Sequence, residues 1–443
     1  MMTKSIPHFG ALGAALLFAA GAAWAEPSVV PTGVTRYDPA KAYGTYVLFC
    51  GADNHTHLID MDGNEVHRWT EKGLPSVAID PALVDGAKGH LLVQTSQAPG
   101  GGTEKIPGVA AIFGDATVGE VDWNDHVVWN WGPANGTPAR QHHDIRRLPN
   151  GNTLILYNRI VSLPGFKAPK QLDDAVEEVT PGGKVVWNWA IGDHLNELGF
   201  TPAELVLLKS SLNADYLHIN NMTPVGANKW FDGGDQRFNP DNVLIDSRNG
   251  NFIIIIDRAT GHVVWRLGPD YPPLTVSYSW RPQTVPRPVD QLSGQHDAHL
   301  IEAGLPGAGD LLVFDNQGEA GYPAVPLAAT GGSRVLEIDP EKKQIVWEYT
   351  AANSHQAPWG FASSFISSAR RLPNGNTLID EGMDGRFFQV TPAGEIVWEY
   401  VSPFKGPYLS NDLTSNWVYR AQPVPYDWVP AGTPHAEKPI TTP

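Results

Sequence analysis

Cysteine is almost missing from this sequence. Only Cys50 is present among 443 residues, so no intramolecular disulfide can form, and without a C-x-x-C-H segment c-type haem attachment is excluded. A basic excess is missing too. Lys and Arg number 31 against 47 Asp and Glu, a net charge of −16, so there is no cationic stripe with which to grip nucleic acid. Long apolar runs are confined to the N-terminus; beyond residue 25 nothing approaches the roughly 20 apolar residues a bilayer-spanning helix needs, and no stable membrane insertion is expected. Apolar residues spaced at 3.6 are scarce, which argues against a helical solenoid.

The N-terminus reads as an address. Lys4 precedes an apolar run from Ala11 to Ala23 that ends at Ala23-Trp24-Ala25, the pattern of a secretory signal peptide with a small-residue cleavage site. Cleavage after residue 25 removes one charged side chain, Lys4, so −16 becomes −17, and the mature chain is expected in the periplasm. The rest divides into a lead segment at 26–45, a repeat region at 46–428 and a flexible tail at 429–443.

What the chain has in abundance is one short pattern. A β-rich stretch, a turn and a strand ending in Trp recur at His57–Trp69, Gly119–Trp129, Glu177–Trp187, Ile254–Trp265, Leu336–Trp347 and Phe388–Trp398. The fullest copies are Glu178-Val-Thr-Pro-Gly-Gly-Lys-Val-Val-Trp187 and Gln389-Val-Thr-Pro-Ala-Gly-Glu-Ile-Val-Trp398, each a hairpin by its β-branched alternation and Gly-containing turn. A second hairpin signal precedes most of them, clearest at Arg146-Arg-Leu-Pro-Asn-Gly-Asn152 and Arg370-Arg-Leu-Pro-Asn-Gly-Asn376. Two hairpins per repeat make a four-stranded blade, and six blades predict an all-β, six-bladed β-propeller. Successive terminal Trp residues are 51 to 82 positions apart, so the longer repeats carry inserted loops. The first repeat is one strand short, and the segment around Asn416–Ala421 is expected to supply it and close the ring.

Function is sought where loops of several blades converge. Pro149 follows His143 by six residues, Pro224 follows His218 by six, and His296 occupies the same place ahead of a longer turn at Pro306–Gly309. Three successive blades therefore carry His at one repeat position. A hairpin turning at Asn150-Gly151 sets His143 opposite about Asn158, next to Arg159; the same register places His218 near Ser247 and Arg248, and His296 near Asp315 and Asn316. Asp144 and Asp297 directly follow their histidines and are expected on the opposite face of the strand, holding backbone or neighbouring blades. Imidazoles and guanidinium groups in one funnel suit an oxyanion: neutral His attacks as a nucleophile, His⁺ donates a proton, and Arg presents a rigid fork of donors. Trp230, Phe231 and Trp280 are candidates to line an aryl pocket.

At this point His142-His-Asp-Ile145 ahead of Leu148-Pro-Asn-Gly-Asn152, Leu217-His-Ile-Asn220, Asp246-Ser-Arg248, Gly294-Gln-His-Asp297 and Phe314-Asp-Asn316 are on the page. In this order and register they resemble the bacterial arylsulfate sulfotransferases, and the likeness runs from about residue 40 to Trp428, including Val418-Tyr-Arg-Ala421. The resemblance implies ping-pong transfer of a sulfuryl group from a phenolic sulfate ester to a phenolic acceptor through a sulfohistidine. On this reading His296 is the nucleophile, while His143, His218 and Arg248 hold the sulfuryl oxygens, with Asn220 adding an amide donor and His142 the alternative to His143. No cofactor and no nucleotide sulfate donor is implied. Familiar members carry an N-terminal β-domain and many carry a cysteine pair; neither feature is evident here.

Three other readings stay open at this point. Asp257–Trp265 resembles the Trp-docking repeat of quinoprotein dehydrogenases, whose propellers have eight blades. Three imidazoles suit a metal, although Arg248 would repel a cation. A propeller that only binds an anionic sugar or phenolic ligand is the third.

Overall fold

The six Trp-ended segments fold as outer hairpins, and their turns are closed by local polar side chains. Asp60, Asp122, Asp257 and Asp339 accept backbone N–H bonds across their own turns, and Thr180 and Thr391 do so through Oγ1. Such Asx and Ser/Thr turns give the chain a local alternative to the ladder, and so end each strand at a fixed place. In all six hairpins the register slips once just ahead of the turn, a bulge that strengthens the local twist.

The tryptophans stitch blade to blade. The indole N–H of Trp69 donates to Asp122 O (2.9 Å), Trp129 to Pro181 O (3.0 Å), Trp265 to Pro340 O (2.8 Å), Trp347 to Pro392 O (2.9 Å) and Trp398 to Met61 O (2.7 Å). Each acceptor belongs to the outer turn of the next blade. In the third blade Trp189 makes this bond instead, to Gly261 O (2.8 Å), while Trp187 lies under the Arg258 guanidinium. The Trp398 bond returns to the first blade and completes the circle.

A computed structural model describes residues 31–97, 115–132, 140–271, 287–289, 291–325, 332–408 and 410–440. The expected signal peptide at 1–25 and Trp280 lie outside them. Thr32–Pro443 forms one compact unit, a six-bladed β-propeller of four-stranded antiparallel blades. From the axis outward, blade 1 is Ala421–Val424, Tyr46–Cys50, Thr56–Ile59 and Glu65–Trp69; blade 2 is Lys72–Ala78, Leu91–Gln97, Asp115–Val121 and Val127–Trp131. Blade 3 is Gln141–Arg147, Thr153–Val161, Gln171–Val179 and Val185–Ala190; blade 4 is Ile219–Pro224, Val243–Ser247, Phe252–Ile256 and Val263–Leu267. Blade 5 is His296–Leu300, Leu311–Asp315, Arg334–Asp339 and Gln344–Tyr349; blade 6 is Ser368–Arg371, Thr377–Glu381, Arg386–Val390 and Ile396–Val401. Apolar side chains from adjacent blades fill the spaces between them. Leu154, Leu156 and Trp189 of blade 3, for example, pack with Met222, Ile245 and Ile254 of blade 4.

The ring closes with a C-terminal strand, a little later in sequence than expected. Ala421–Val424 pairs with Tyr46–Phe49 as the inner strand of blade 1, while Asn416–Arg420 runs in toward the axis. The lead segment also takes part: Gly33–Tyr37 adds a fifth strand to the outer edge of blade 6. The tail is tied down at several points, with Ile440 bridged to Tyr37, His435 stacked on Tyr426 and the Ala436 N–H bonded to Asp60.

This strand order sorts the loops between two faces. Connections from an outer strand to the next inner strand emerge where the inner strands begin, with His218 and His296, and the turns between second and third strands lie at the same face. The turns inside the inner hairpins lie at the other. Trp230 and Phe231 sit in such a turn, between Ile219–Pro224 and Val243–Ser247, where Trp230 donates to Gly309 O (2.6 Å) of the matching turn in blade 5. They therefore pack on the face remote from the histidines and line no pocket there.

Candidate active site

The inner strands are bulged where they begin. Register slips between Ile155 and Tyr157, between Ile219 and Asn221, and between His296 and His299. His143 (φ 58°), His218 (φ 52°) and Asp297 (φ 59°) all have left-handed backbone, a conformation that costs a non-glycine residue about 1–2 kcal/mol. Bulges at such places re-aim side chains, and here they turn imidazoles toward the axis.

The register expected for blade 3 is corrected by its bulge. Asn158 bonds the Arg140 carbonyl instead of facing His143. Arg159 lies outside the histidine cluster, with Nε on Asp173 (2.5 Å) and Nη2 on Asp193 (2.9 Å). In blades 4 and 5 the expected neighbours are found: the Arg248 N–H donates to His218 O (3.0 Å), and Asn316 Oδ1 lies 2.7 Å from His296 Nδ1.

His143 is the hub of the cluster. Its ring centroid lies 4.7 Å from that of His218, 5.0 Å from that of His142 and 5.3 Å from that of Tyr419, and the His296 ring is 6.3 Å from Tyr419. His142 stands behind His143, with its Nδ1 2.7 Å from the Nδ1 of His143 and its Nε2 3.2 Å from Asp174. Asn220 is fully buried; its amide donates to Gln295 O (2.8 Å) while Oδ1 has no hydrogen-bond partner among the described residues. Asp144 and Asp297 point away from the rings, as expected, and each accepts a backbone N–H from the following blade, Met222 and Ala369 respectively.

The protonation of His296 follows from its contacts. Nδ1 faces two acceptors, Gly294 O (3.0 Å) and Asn316 Oδ1 (2.7 Å), so it carries the hydrogen; Nε2 then holds the lone pair and accepts from the Ile366 N–H at 3.1 Å. Burial, followed by the nearby Arg248 charge, pushes the His296 pKa well below the ordinary imidazole value. Burial, followed by His218 and the other imidazoles, does the same to His143. Burial also lowers Arg248 against the pull of Asp215 and Glu319. The site thus offers neutral imidazoles beside a guanidinium at the mouth. Among the described residues no three His, Cys, Asp or Glu side chains are arranged to hold a metal ion.

The Arylsulfotransferase (ASST) family matches residues 134–420, a span that contains every residue of this cluster. The chain belongs to that family. Membership supports arylsulfate sulfotransferase activity as its general class. A search of curated proteins finds no significant match. Among solved structures, a protein of unknown function from Bacteroides caccae aligns at 13% identity and a TM-score of 0.47 over 86% of this chain and 99% of its own. The hydrazine synthase of Kuenenia stuttgartiensis aligns at 12% and 0.39 over 76% and 77%. Neither likeness bears on chemistry.

Two residues of this cluster escaped the sequence reading. Asp215 holds His218 Nδ1 at 2.5 Å; burial raises its carboxyl, but His218, His142 and Arg248 together outweigh that, and the net shift is downward. The Asp-x-x-His spacing was its only local signal. Tyr419 lies against both His143 and His296, and it sits in the matching segment Val418–Ala421 without a sign of its orientation.

The lowered His296 pKa has a kinetic consequence. An ordinary imidazole gains its proton as pH falls through about 6.5; a lowered one stays neutral further down. The acidic limb of any reaction in which His296 attacks as a nucleophile is therefore expected below that value, as measured by rapid quench of single turnovers between pH 4.5 and 8. A limb at or above the ordinary imidazole value would contradict the assignment.

Proposed function

We propose that the protein transfers a sulfuryl group from an aryl sulfate ester to a phenol by a ping-pong reaction through a sulfohistidine at His296. The observation that carries this reading is a buried, neutral His296 with its hydrogen fixed on Nδ1 and its lone pair on Nε2, within the field of Arg248. In the first half-reaction Nε2 gives up the Ile366 N–H and attacks sulfur, the sulfur–oxygen ester bond breaks, and the phenolate leaves with a proton that a protonated His218 supplies; the acceptor phenol later returns that proton to His218. In the second, the acceptor phenol loses a proton, its oxygen attacks sulfur, and the nitrogen–sulfur bond breaks to restore His296.

Charge grows on the sulfuryl and leaving oxygens in both halves. His143 and Arg248 are placed to offset it, and preorganised donors of this kind typically contribute about 3 kcal/mol each. His218, with Nδ1 fixed by Asp215, exchanges the phenolic proton through its other nitrogen. Aryl sulfate and phenol are the only partners the reaction requires, with no cofactor. The compartment we propose is the periplasm, reached by cleavage after Ala25, which N-terminal sequencing of the exported protein would check.

The deciding measurement uses a chromogenic aryl sulfate with and without added phenol. Release of the chromogenic phenol is expected to depend strongly on the acceptor, with sulfate recovered on it. Equal release in water alone would make the protein a sulfatase.

A further inference from the structure

The residues around the axis come in adjacent pairs: His143-Asp144 from blade 3, Asn220-Asn221 from blade 4 and His296-Asp297 from blade 5. One dipeptide, Tyr419-Arg420, meets all three. Tyr419 meets the first member of each pair, its ring beside His143 (5.3 Å) and His296 (6.3 Å) and its hydroxyl donating to Asn220 O (2.5 Å). Arg420 meets the second member of each: Nη1 lies 2.9 Å from Asp144 Oδ2, Nη2 donates to Asn221 Oδ1 at 3.1 Å, and Nε lies 3.1 Å from Asp297 Oδ1. Blade 6 joins through the Ser367 N–H, which donates to Tyr419 O (3.1 Å). Both side chains are buried, Arg420 at 2% exposure and Tyr419 at 3%.

From this two-tier arrangement we infer that Tyr419 and Arg420 are positioning residues for the transfer. Tyr419 seats the His143 and His296 rings, and Arg420 fixes the backbone corners from which those rings project. Asp144 and Asp297 are the means. Each carboxylate meets Arg420 on one side and the next blade's backbone on the other; Arg146 and Arg370 hold one carboxylate each, and of the three Arg420 alone reaches both, so its guanidinium ties the two histidine corners to each other across the axis. The planar guanidinium donates to acceptors on two blades and sets its charge beside the Asp297 carboxylate of a third; an ammonium, as a point charge, cannot span all three. This inference rests on the proposed reaction for its kinetic part only.

The test uses the full chain with Arg420→Lys, Tyr419→Leu and Tyr419→Phe. Thermal melts establish folding, steady-state kinetics separate kcat from KM, and histidine-selective ¹⁵N spectra report the ring tautomers. Misplacing a reacting group by about 1 Å costs on the order of 100-fold. Arg420→Lys and Tyr419→Leu are accordingly expected to lose at least tenfold in kcat, with the KM for aryl sulfate changed less than twofold. Their spectra should show His296 no longer held with the hydrogen on Nδ1. Tyr419→Phe, which keeps the ring, should recover most of the kcat. Folded Arg420→Lys and Tyr419→Leu variants with wild-type kcat and unchanged ring spectra would overturn the inference. If Arg420→Lys does not fold, Asp144→Asn carries the same test, since it keeps an acceptor for Met222 and removes the charge. Absence of acceptor-dependent transfer in the wild type would defeat the proposed reaction instead, and the ring spectra of the variants would still decide the positioning.

Discussion

Replacing His296 with alanine is expected to abolish sulfuryl labelling of the protein and to lower turnover by a factor on the order of 10⁴ or more, as loss of a covalent nucleophile does elsewhere. Labelling is read by incubating the protein with a radiolabelled aryl sulfate and quenching in base. The variant should still fold. It leaves the Ile366 N–H and the Asn316 Oδ1 without their imidazole partner, and an orphaned buried polar group costs roughly 1–3 kcal/mol, within the stability of an ordinary domain. A lowered midpoint in a cooperative melt is the expected control result. Labelling that persists in His296→Ala and vanishes in His218→Ala would move the nucleophile to blade 4.

Deleting residues 417–443 is expected to unfold the protein. The deletion removes the inner strand of blade 1 and with it Val418, Tyr419, Val424 and Trp428, all nearly inaccessible to solvent. At about 2 kcal/mol for each large side chain, their loss is comparable with the whole stability of a domain, commonly 5–15 kcal/mol. Edge exposure adds to the damage, because Tyr46–Phe49 would be left with unpaired backbone groups. The expected readout is loss of the cooperative thermal transition and appearance in inclusion bodies. A truncated chain with a near-normal melt would mean that five full blades and a three-stranded one suffice to hold the ring.

The blades were legible in the sequence because their determinants are local. Asp or Thr at a fixed offset closes each outer turn, and a Trp at the end of the next strand reaches the following blade; neither needs a long-range partner to be recognised. Even the exception in blade 3, where Trp189 replaces Trp187 in the bond, is a matter of two residues. The site was legible only in part. His143 and His296 share a repeat position, but in blade 4 that position falls on Asn220, with His218 two residues earlier, and the bulges that aim the rings did not show, because positive φ at histidine carries no compositional mark as it would at glycine. For the same reason Arg159 was placed beside His143 by counting along an unbroken ladder, whereas the bulge shifts the pairing and Asp173 claims its guanidinium. Asp215 and Tyr419 act across loops and blades, which spacing alone cannot register. Trp230 and Phe231 were near His218 in sequence but a full strand length away in space.

One dipeptide near the C-terminus therefore decides when the chain becomes competent. A polypeptide that has been made, or has emerged, only as far as residue 418 already holds His143, His218 and His296, yet it lacks the Tyr419 ring beside two of them and the Arg420 guanidinium that ties their corners together. In the proposed reaction, chemistry waits on residues 419–424 to arrive at the axis, so activity reports that the ring has closed.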